Sequence, residues 1–364
     1  MKIIQVQTQA EAAGAQRISD MVGEGLRARG HEVRTVFMYR KTDAFDADPY
    51  ADFILTESPK GLPGQIRAAI GLATYLRKSR PDAVITFQHY GNIFGTIGAR
   101  LAGVSRIIAN QSGSPHTKGM MGVLSQIDRL MGVVGLYRTN VVNSAWTEAQ
   151  FSHYPQAYRR RLRRIDHGVA APPEDFDKAA ARASFGLPRN AWLAVSSGRL
   201  TQQKNQIALV GALDQLPDIH VAIAGVGPER DTLVALAKRR GVADRLHLVG
   251  EVPPSRIFEF LAAGDIYAFP SLSETFGLAC VEAAISGLPV VANDLAVMRE
   301  VLATEDGETA AIFVEDDATG MAKGLADLMA GPEIMARLST AGRRLKDKYA
   351  PARMCAGYEA LLLS

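Results

Sequence analysis

Cysteine is nearly absent: Cys280 and Cys355 are the two in 364 residues, and neither their number nor their spacing suits a metal site or a disulfide framework. Both fall in segments that read as helices, and such scarcity fits a reducing cytoplasm, the expected location. Long apolar runs are missing as well. No stretch of about 18 apolar residues escapes a charge or a cluster of breakers, so no spanning helix is expected and any membrane contact is peripheral. The amino terminus, Met1-Lys2-Ile3-Ile4-Gln5-Val6, lacks the signal-type run of roughly 7 to 15 apolar residues and reads as a first β-strand, so no secretion signal is expected. Charge of one sign is also in short supply. A formal net charge of +3 gives no whole-molecule field for nucleic acid, which is not expected as a partner.

What is present suits a soluble globular chain: 47% apolar and 22% charged residues leave no large disordered share. A length of 364 residues suits two domains of roughly 150 to 200 residues each. Short β-branched runs alternate with helical stretches, the pattern of βαβ units and parallel sheets. In the first half the strands are expected at Lys2 to Val6, His31 to Phe37, Ala83 to Phe87, Arg106 to Ala109 and Asn140 to Val142, with a helix from Gln16 to Arg29 closed by Gly30. The pattern breaks at Gly168 to Asp175, where Pro172 and Pro173 mark a linker, and then restarts. Strands are expected at Trp192 to Ser196, His220 to Ala224, Arg245 to Val249, Ile266 to Phe269 and Val290 to Ala292, with a helix from Arg230 to Arg240. The fold class is therefore α/β, with Rossmann-like domains of parallel sheets at 1–168 and 169–345. The remaining 346–364, apolar at helical spacing from Met354 to Leu363, is expected to pack back onto the first domain.

The most informative stretch runs from Pro270 to Pro289. A strand ends at Phe269, a short loop follows, and a helix is expected to start near Phe276 and stop at Gly287. A helix start at the carboxyl edge of a parallel sheet offers unpaired N–H groups and a positive dipole end to a phosphate. From Phe276 to Ile285 every residue but Glu282 is apolar or small, so this helix is expected to be buried nearly all round. A buried carboxylate needs strong hydrogen bonds or a place at a cleft, and a ribose diol supplies two donors. Glu274 lies eight residues earlier, about 12 Å along an ideal helix, which is about the reach from a ribose across a diphosphate to a sugar ring. The alternative is structural: Glu274 caps the helix and Glu282 meets a core arginine.

The Glu-x7-Glu spacing within Ser273-Glu274-Thr275-Phe276-Gly277-Leu278, Glu282-Ala283 and Gly287-Leu288-Pro289-Val290 resembles the signature of retaining glycosyltransferases of family 4, the glycosyl transferases group 1, which adopt the GT-B fold. Ser197-Gly198-Arg199-Leu200-Thr201-Gln202-Gln203-Lys204-Asn205 is similar to the segment in which that family places its diphosphate-binding cations. An arginine fork and a lysine point charge at a strand-to-helix turn can clamp a diphosphate. The resemblance implies Gly198, Arg199 and Lys204 on the diphosphate, with the backbone from Thr275 through Phe276 and Gly277 to Leu278 beside it. It implies Glu282 on the ribose and Glu274 on the donor sugar. Gly225-Val226-Gly227-Pro228 resembles the family's Gly-x-Gly-Pro turn rather than a dinucleotide fingerprint, since Arg230 replaces the third glycine. The Val252 stretch, Gly250-Glu251-Val252-Pro253, resembles the loop whose backbone reads the base.

In the first half, Ala13-Gly14-Ala15-Gln16-Arg17 resembles the family's glycine loop, with Gly14 letting backbone approach the donor; a plain βα turn is the other reading. For the catalytic-site histidine two positions compete. His89 follows the Ala83 to Phe87 strand, whereas the strand ending at Ala109 leads to Gln111, where many relatives carry histidine; His116 in the next loop is a third option. Asp46-Ala47-Asp48 and Asp175-Phe176-Asp177 lie in linker-like sequence, and no metal or other cofactor is expected.

The arginines Arg159, Arg160, Arg161, Arg163 and Arg164 read as a solvated face or as a contact for anionic lipid or a phosphate-bearing acceptor. Pro115 to Val134 reads as a core helix or an apolar acceptor surface. The implied activity is metal-independent transfer of a sugar from a UDP- or GDP-sugar to a sugar, lipid-linked or small-molecule acceptor with retained configuration, in polysaccharide or glycoconjugate synthesis. A nucleotide-sugar epimerase of the same fold and an impaired nucleotide-binding module are the alternatives.

Overall fold

The computed structural model describes residues 1–11, 14–111, 113, 119–173 and 176–364, the side chains of Leu62 and Met120 excepted. It divides into two compact units, 1–168 with 351–364, and 169–350.

The N-terminal unit holds seven strands: β1 Lys2–Ala10, β2 Glu32–Arg40, β3 Ala51–Leu55, β4 Ala83–Thr86, β5 Arg106–Gln111, β6 Thr139–Val142 and β7 Leu162–Arg164. All pair in parallel, in the order β3-β2-β1-β4-β5-β6-β7. The central strands β4 and β6 are buried throughout, as a parallel sheet covered on both faces demands. Ile4, Val6, Val84, Ile107 and Ala109 form the middle of its core. The helix Pro351–Leu363 packs against the helix Gly14–Arg27: the Cys355 thiol lies 3.5 Å from the Met21 carbonyl oxygen, and the Tyr358 hydroxyl donates to Asn110. Gly25 permits this approach, because a Cβ there would sit 2.2 Å from the Cys355 sulfur.

The C-terminal unit has six strands: β8 Trp192–Ser197, β9 Ile219–Ala224, β10 Leu246–Gly250, β11 Ile266–Phe269, β12 Val290–Asn293 and β13 Ala311–Val314. They too are all parallel, in the order β10-β9-β8-β11-β12-β13. Its core joins Ala194, Val221, Ile223, Ala268 and Val291 to Leu325 and Leu328 of the helix Ala318–Ala330. Among the described residues no helix is long and apolar enough to cross a membrane.

Candidate functional site

Strand order places β8 beside β11, and from there the chain leaves in opposite directions, to β9 on one side and β12 on the other. Such a switch point opens a crevice between two diverging loops at the carboxyl edge, where open parallel sheets bind ligands. Here the loops are 198–206 and 270–277.

Lys204 and Glu274 meet between them. Lys204 ends the single turn Gln202–Lys204, and its ammonium donates to Glu274 Oε1 at 2.5 Å while standing 5.2 Å from the centre of the Phe269 ring. Their side chains are 21% and 11% exposed, so the pair is largely withdrawn from water. Neutral bonds hold the same two loops: Gln203 Nε2 donates to the Ser273 carbonyl and Leu272 N to the Gln203 carbonyl, each at 2.8 Å. Asn293, at the end of β12, donates to the carbonyls of Pro270 and Ser271 at 2.7 and 3.2 Å.

The loop at Gly198–Leu200 rests on the Gly-x-Gly-Pro turn. Gly225 has φ +151°, and a Cβ there would lie 2.0 Å from the Gly198 carbonyl oxygen; one at Gly227 would lie 2.3 Å from that of Leu200. Gly198 N donates to Ala224 O at 2.9 Å and Leu200 N to Val226 O at 3.0 Å. Both glycines are thus fixed by backbone packed on backbone. Arg199, between them and the solvent, is exposed, and among the described residues its guanidinium has no ion-pair partner.

The helix that carries Glu282 is Leu278–Ile285, two residues shorter at its start than the sequence suggests. Gly277 is the cause. It takes the left-handed conformation, φ 80° and ψ 50°, so the helix cannot extend back through it to Phe276. Its carbonyl accepts from Cys280 N at 2.9 Å and Val281 N at 3.2 Å, which opens the first turn. Phe276 is buried edge-on against the Tyr349 ring at 5.2 Å, leaving its backbone as the part that can meet a ligand; Thr275 and Leu278 are half-buried. Glu282 is 3% exposed, inside a helix buried from Cys280 to Ile285. Burial pushes the Cys280 thiol up, and the nearby Glu274 charge adds to it, so this cysteine stays protonated and inert. Val252 is half-buried in the loop after β10, separated from β8 by β9.

In the N-terminal unit the corresponding switch point lies between β1 and β4. Gly14 opens the helix Gly14–Arg27; Ala13 lies outside the described residues. His89 is the first residue of the helix His89–Leu101, after Gln88 at φ 64° and ψ 160°. That turn is held from β1: Thr8 N donates to Gln88 Oε1 at 3.1 Å, and Gly91 N donates to Thr8 Oγ1 at 3.0 Å. Burial lowers the His89 pKa, so its ring is neutral near pH 7. Its Nε2 would lie 3.4 Å from a Cβ on Gly113, so His89 borders the loop that follows Gln111. The two positions that compete in the sequence are neighbours in space. His116 lies outside the described residues.

Other candidates have local duties. Asp177 caps the helix Lys178–Ser184 by accepting from Ala180 N at 2.7 Å, Asp46 pairs with Arg40, and Asp48 accepts from Tyr50 N; Asp175 is outside the described residues. Of the arginine run, Arg161 donates to the carbonyls of Gly132 and Tyr137, Arg163 to those of Arg160 and Leu162, and Arg164 pairs with Asp166 at 3.4 Å. Arg159 and Arg160 remain exposed. Sequence reading passes over Asp128, whose signal is a lone carboxylate in the apolar run before Val134. It is buried at the centre of a hydrogen-bonded cluster that reaches Gln111.

Comparison with known proteins bears on the C-terminal unit. Residues 177–345 match the family described as Glycosyl transferases group 1. They belong to it. A D-inositol 3-phosphate glycosyltransferase of Mycolicibacterium gilvum (strain PYR-GCK) is 36% identical over 192 residues, which is 51% of this chain and 42% of the relative. A GDP-mannose-dependent alpha-(1-6)-phosphatidylinositol monomannoside mannosyltransferase of Mycolicibacterium smegmatis is 28% identical over 264 residues, 67% of this chain and 66% of that protein. The chain therefore spans less than half of the first relative and about two thirds of the second. Among solved structures, Anabaena Alr3699/HepE with UDP and glucose aligns over all of both chains with a TM-score of 0.83 at 18% identity. Sucrose-phosphate synthase from Thermosynechococcus elongatus aligns over 100% of this chain and 96% of its own with 0.81 at 20%. At such identity these likenesses show the fold, which is GT-B. The group 1 segment thus includes Arg199, Lys204 and Glu274 with the two loops that hold them, and Glu282 on the helix that follows.

Proposed function

We propose that the chain transfers a sugar from a nucleoside diphosphate sugar, a UDP- or GDP-sugar, to an acceptor hydroxyl with retention of anomeric configuration and without a metal. The observation that carries this reading is the Lys204–Glu274 pair at the switch-point crevice, beside an exposed Arg199 and a helix start capped by Gly277. Arg199, Lys204 and the N–H groups after Gly277 would stabilise charge growing on the leaving diphosphate, catalysis by preorganised electrostatics. In this reading Glu282 holds the ribose, Glu274 the donor sugar hydroxyls and the loop of Val252 the base. Gly14 and His89 are the candidate site residues of the N-terminal unit itself. As the anomeric carbon–phosphate oxygen bond breaks, the acceptor oxygen bonds that carbon on the same face and its proton passes to the leaving phosphate.

The names of the relatives, which act on inositol phosphate and phosphatidylinositol mannoside, support an acceptor in glycoconjugate synthesis for this chain too. We place that acceptor at an anionic membrane surface. Exposed Arg159 and Arg160 support this, as do the exposed Val123, Ile127 and Leu130 of the helix Gly119–Val134.

The test is a thermal-shift screen with UDP, GDP, UDP-glucose and GDP-mannose, followed by assay of diphosphate release and transfer. A ligand at about 100 times its Kd adds about 2.7 kcal/mol of apparent stability. One of the four is expected to stabilise the wild type, and Lys204→Ala and Glu282→Ala to abolish the shift. Equal shifts in wild type and variants would overturn the site. Tight nucleotide binding with no turnover of either donor would leave a binding module instead.

A further inference from the structure

Under the carboxyl edge of the N-terminal sheet lies a polar cluster that the proposed chemistry does not use. Asp128, on the helix Gly119–Val134, is buried, and so are Gln111 at the end of β5, Asn140 on β6, and the tyrosines Tyr137 and Tyr158. Tyr158 OH donates to Asp128 Oδ2 at 2.6 Å and Tyr137 OH to Asp128 Oδ1 at 3.3 Å. Asn140 Nδ2 donates to Tyr158 OH at 2.8 Å, and Gln111 Nε2 to the same hydroxyl at 3.5 Å. Packing alone does not call for a carboxylate here, among the rings of Phe151, Tyr154 and Tyr158.

The direction of these bonds follows from the chemistry of Asp128. An ionised carboxylate only accepts, so the Tyr158 proton points to it and the Tyr158 oxygen is left to accept. Gln111, which also bonds the Asp128 side chain, must then turn its NH2 group inward. A primary amide has its oxygen opposite that nitrogen. The cluster thus fixes which end of the buried Gln111 amide points away from it, at the last residue of a strand whose carboxyl end is the ligand-binding edge of such sheets.

We infer that Asp128 is a positioning residue: directly and through Tyr158 it orients Gln111 so that the amide oxygen accepts a hydroxyl of the sugar substrate at the end of β5. This rests on the transferase reading above. A protonated Asp128 can donate, and the amide then loses its fixed direction. The groups facing Asp128 are Tyr137 and Tyr158, from outside its helix, and the amide of Gln111; all are neutral. Two arginines border the cluster, Arg129 over the Tyr154 ring at 5.2 Å and Arg161 on the backbone carbonyls of Gly132 and Tyr137. Burial, opposed by the three hydrogen bonds, pushes Asp128 up to about 6.

The experiment measures diphosphate release from UDP-glucose and GDP-mannose by the full chain between about pH 5 and 8, a window that brackets the Asp128 transition. Asp128→Asn and Gln111→Met are each expected to lower kcat/KM about tenfold, mainly by raising KM, and the double variant to lose little more than either alone. The wild-type rate should fall on acidification through the Asp128 transition, and that limb should be missing in Asp128→Asn. A variant that merely misfolds lowers kcat at unchanged KM. Wild-type kcat/KM and an intact acid limb in Asp128→Asn would overturn the inference. If Asp128→Asn does not fold, Gln111→Met with wild-type KM overturns it equally. Should the wild type release nothing, the transferase reading falls and the inference is decided by the Gln111 side-chain amide resonance. Movement with pH in the wild type but not in Asp128→Asn supports it, and indifference to both sinks it.

Discussion

Lys204 and Glu274, seventy residues apart in sequence, form an ion pair at 2.5 Å across the two loops that diverge from β8 and β11. Because both are mostly buried, removing either charge leaves the other poorly compensated, whereas an exposed pair is worth little. Lys204→Met and Glu274→Gln are each expected to cost about 2 kcal/mol of stability, between the exposed and buried ranges. The double variant should cost clearly less than the two together. Urea unfolding of the four proteins decides it, and strict additivity would show that the contact carries no energy. Loss of stability and loss of nucleotide binding should coincide in Lys204→Met, since the same ammonium serves both.

The turn below the Arg199 loop offers a steric test. At Gly225 and Gly227 an added Cβ meets backbone oxygen at 2.0 and 2.3 Å, and backbone cannot swing aside as a side chain can. Gly225→Ala and Gly227→Ala are expected to lose on the order of 3 kcal/mol and to displace the 198–200 loop. Gly241→Ala is the comparator: φ is +67° but nothing lies within 4 Å, so the backbone conformation alone costs about 1 kcal/mol. Equal melting temperatures for all three variants would refute the steric account.

Much of this architecture was legible in the chain. Ile266–Phe269 is found where its β-branched and aromatic run predicts it, and the expected strand at Trp192 to Ser196 gains one residue. Edge strands were missed: Ala51–Leu55 and Ala311–Val314 are short and half-exposed, so they lack the continuous apolar signal of a strand covered on both faces. The helix start was displaced because composition shows an apolar run from Phe276 but not that Gly277 takes a left-handed conformation. At the candidate site, Lys204 and Glu274 each stand out locally. Their pairing does not, since it depends on strand order rather than spacing. Asp128 carries the same local signal as Glu282, one acid in a largely apolar stretch, but its role does not show there, since it depends on Tyr137 and Tyr158 being folded against it.

A buried cation anchors the start of the C-terminal sheet. Arg182 donates to Asp265 Oδ2 at 2.7 Å and to the carbonyls of Ala263 and Arg189 at 2.9 and 2.7 Å, while Asp265 also accepts from Leu193 N at 2.9 Å. Asp265→Ala strands the guanidinium and a β8 backbone donor together, and a loss of about 3 to 5 kcal/mol is expected. Lys178, the second partner of Asp265, is half-exposed and can turn to water, so Lys178→Ala should cost under about 1 kcal/mol. A small loss in Asp265→Ala, measured by chemical denaturation, would contradict this ranking.

Asp128 sets a pH dependence whose sign can be worked out. Its folded value of about 6 lies above the ordinary 3.8, so between these two values the folded chain binds more protons than the unfolded one. Stability therefore falls as pH rises through that window, and the full cost, roughly 3 kcal/mol, is present above it. Asn at this position cannot ionise and escapes the cost. The stability difference between Asp128→Asn and wild type should shift in favour of the variant from about pH 4 to about pH 6 and stay constant above. Denaturant midpoints at half-unit pH steps measure it. A difference that is flat across the window, or that moves the other way, would mean that the carboxylate is better solvated or better paired in the folded chain than its buried ring of tyrosines allows.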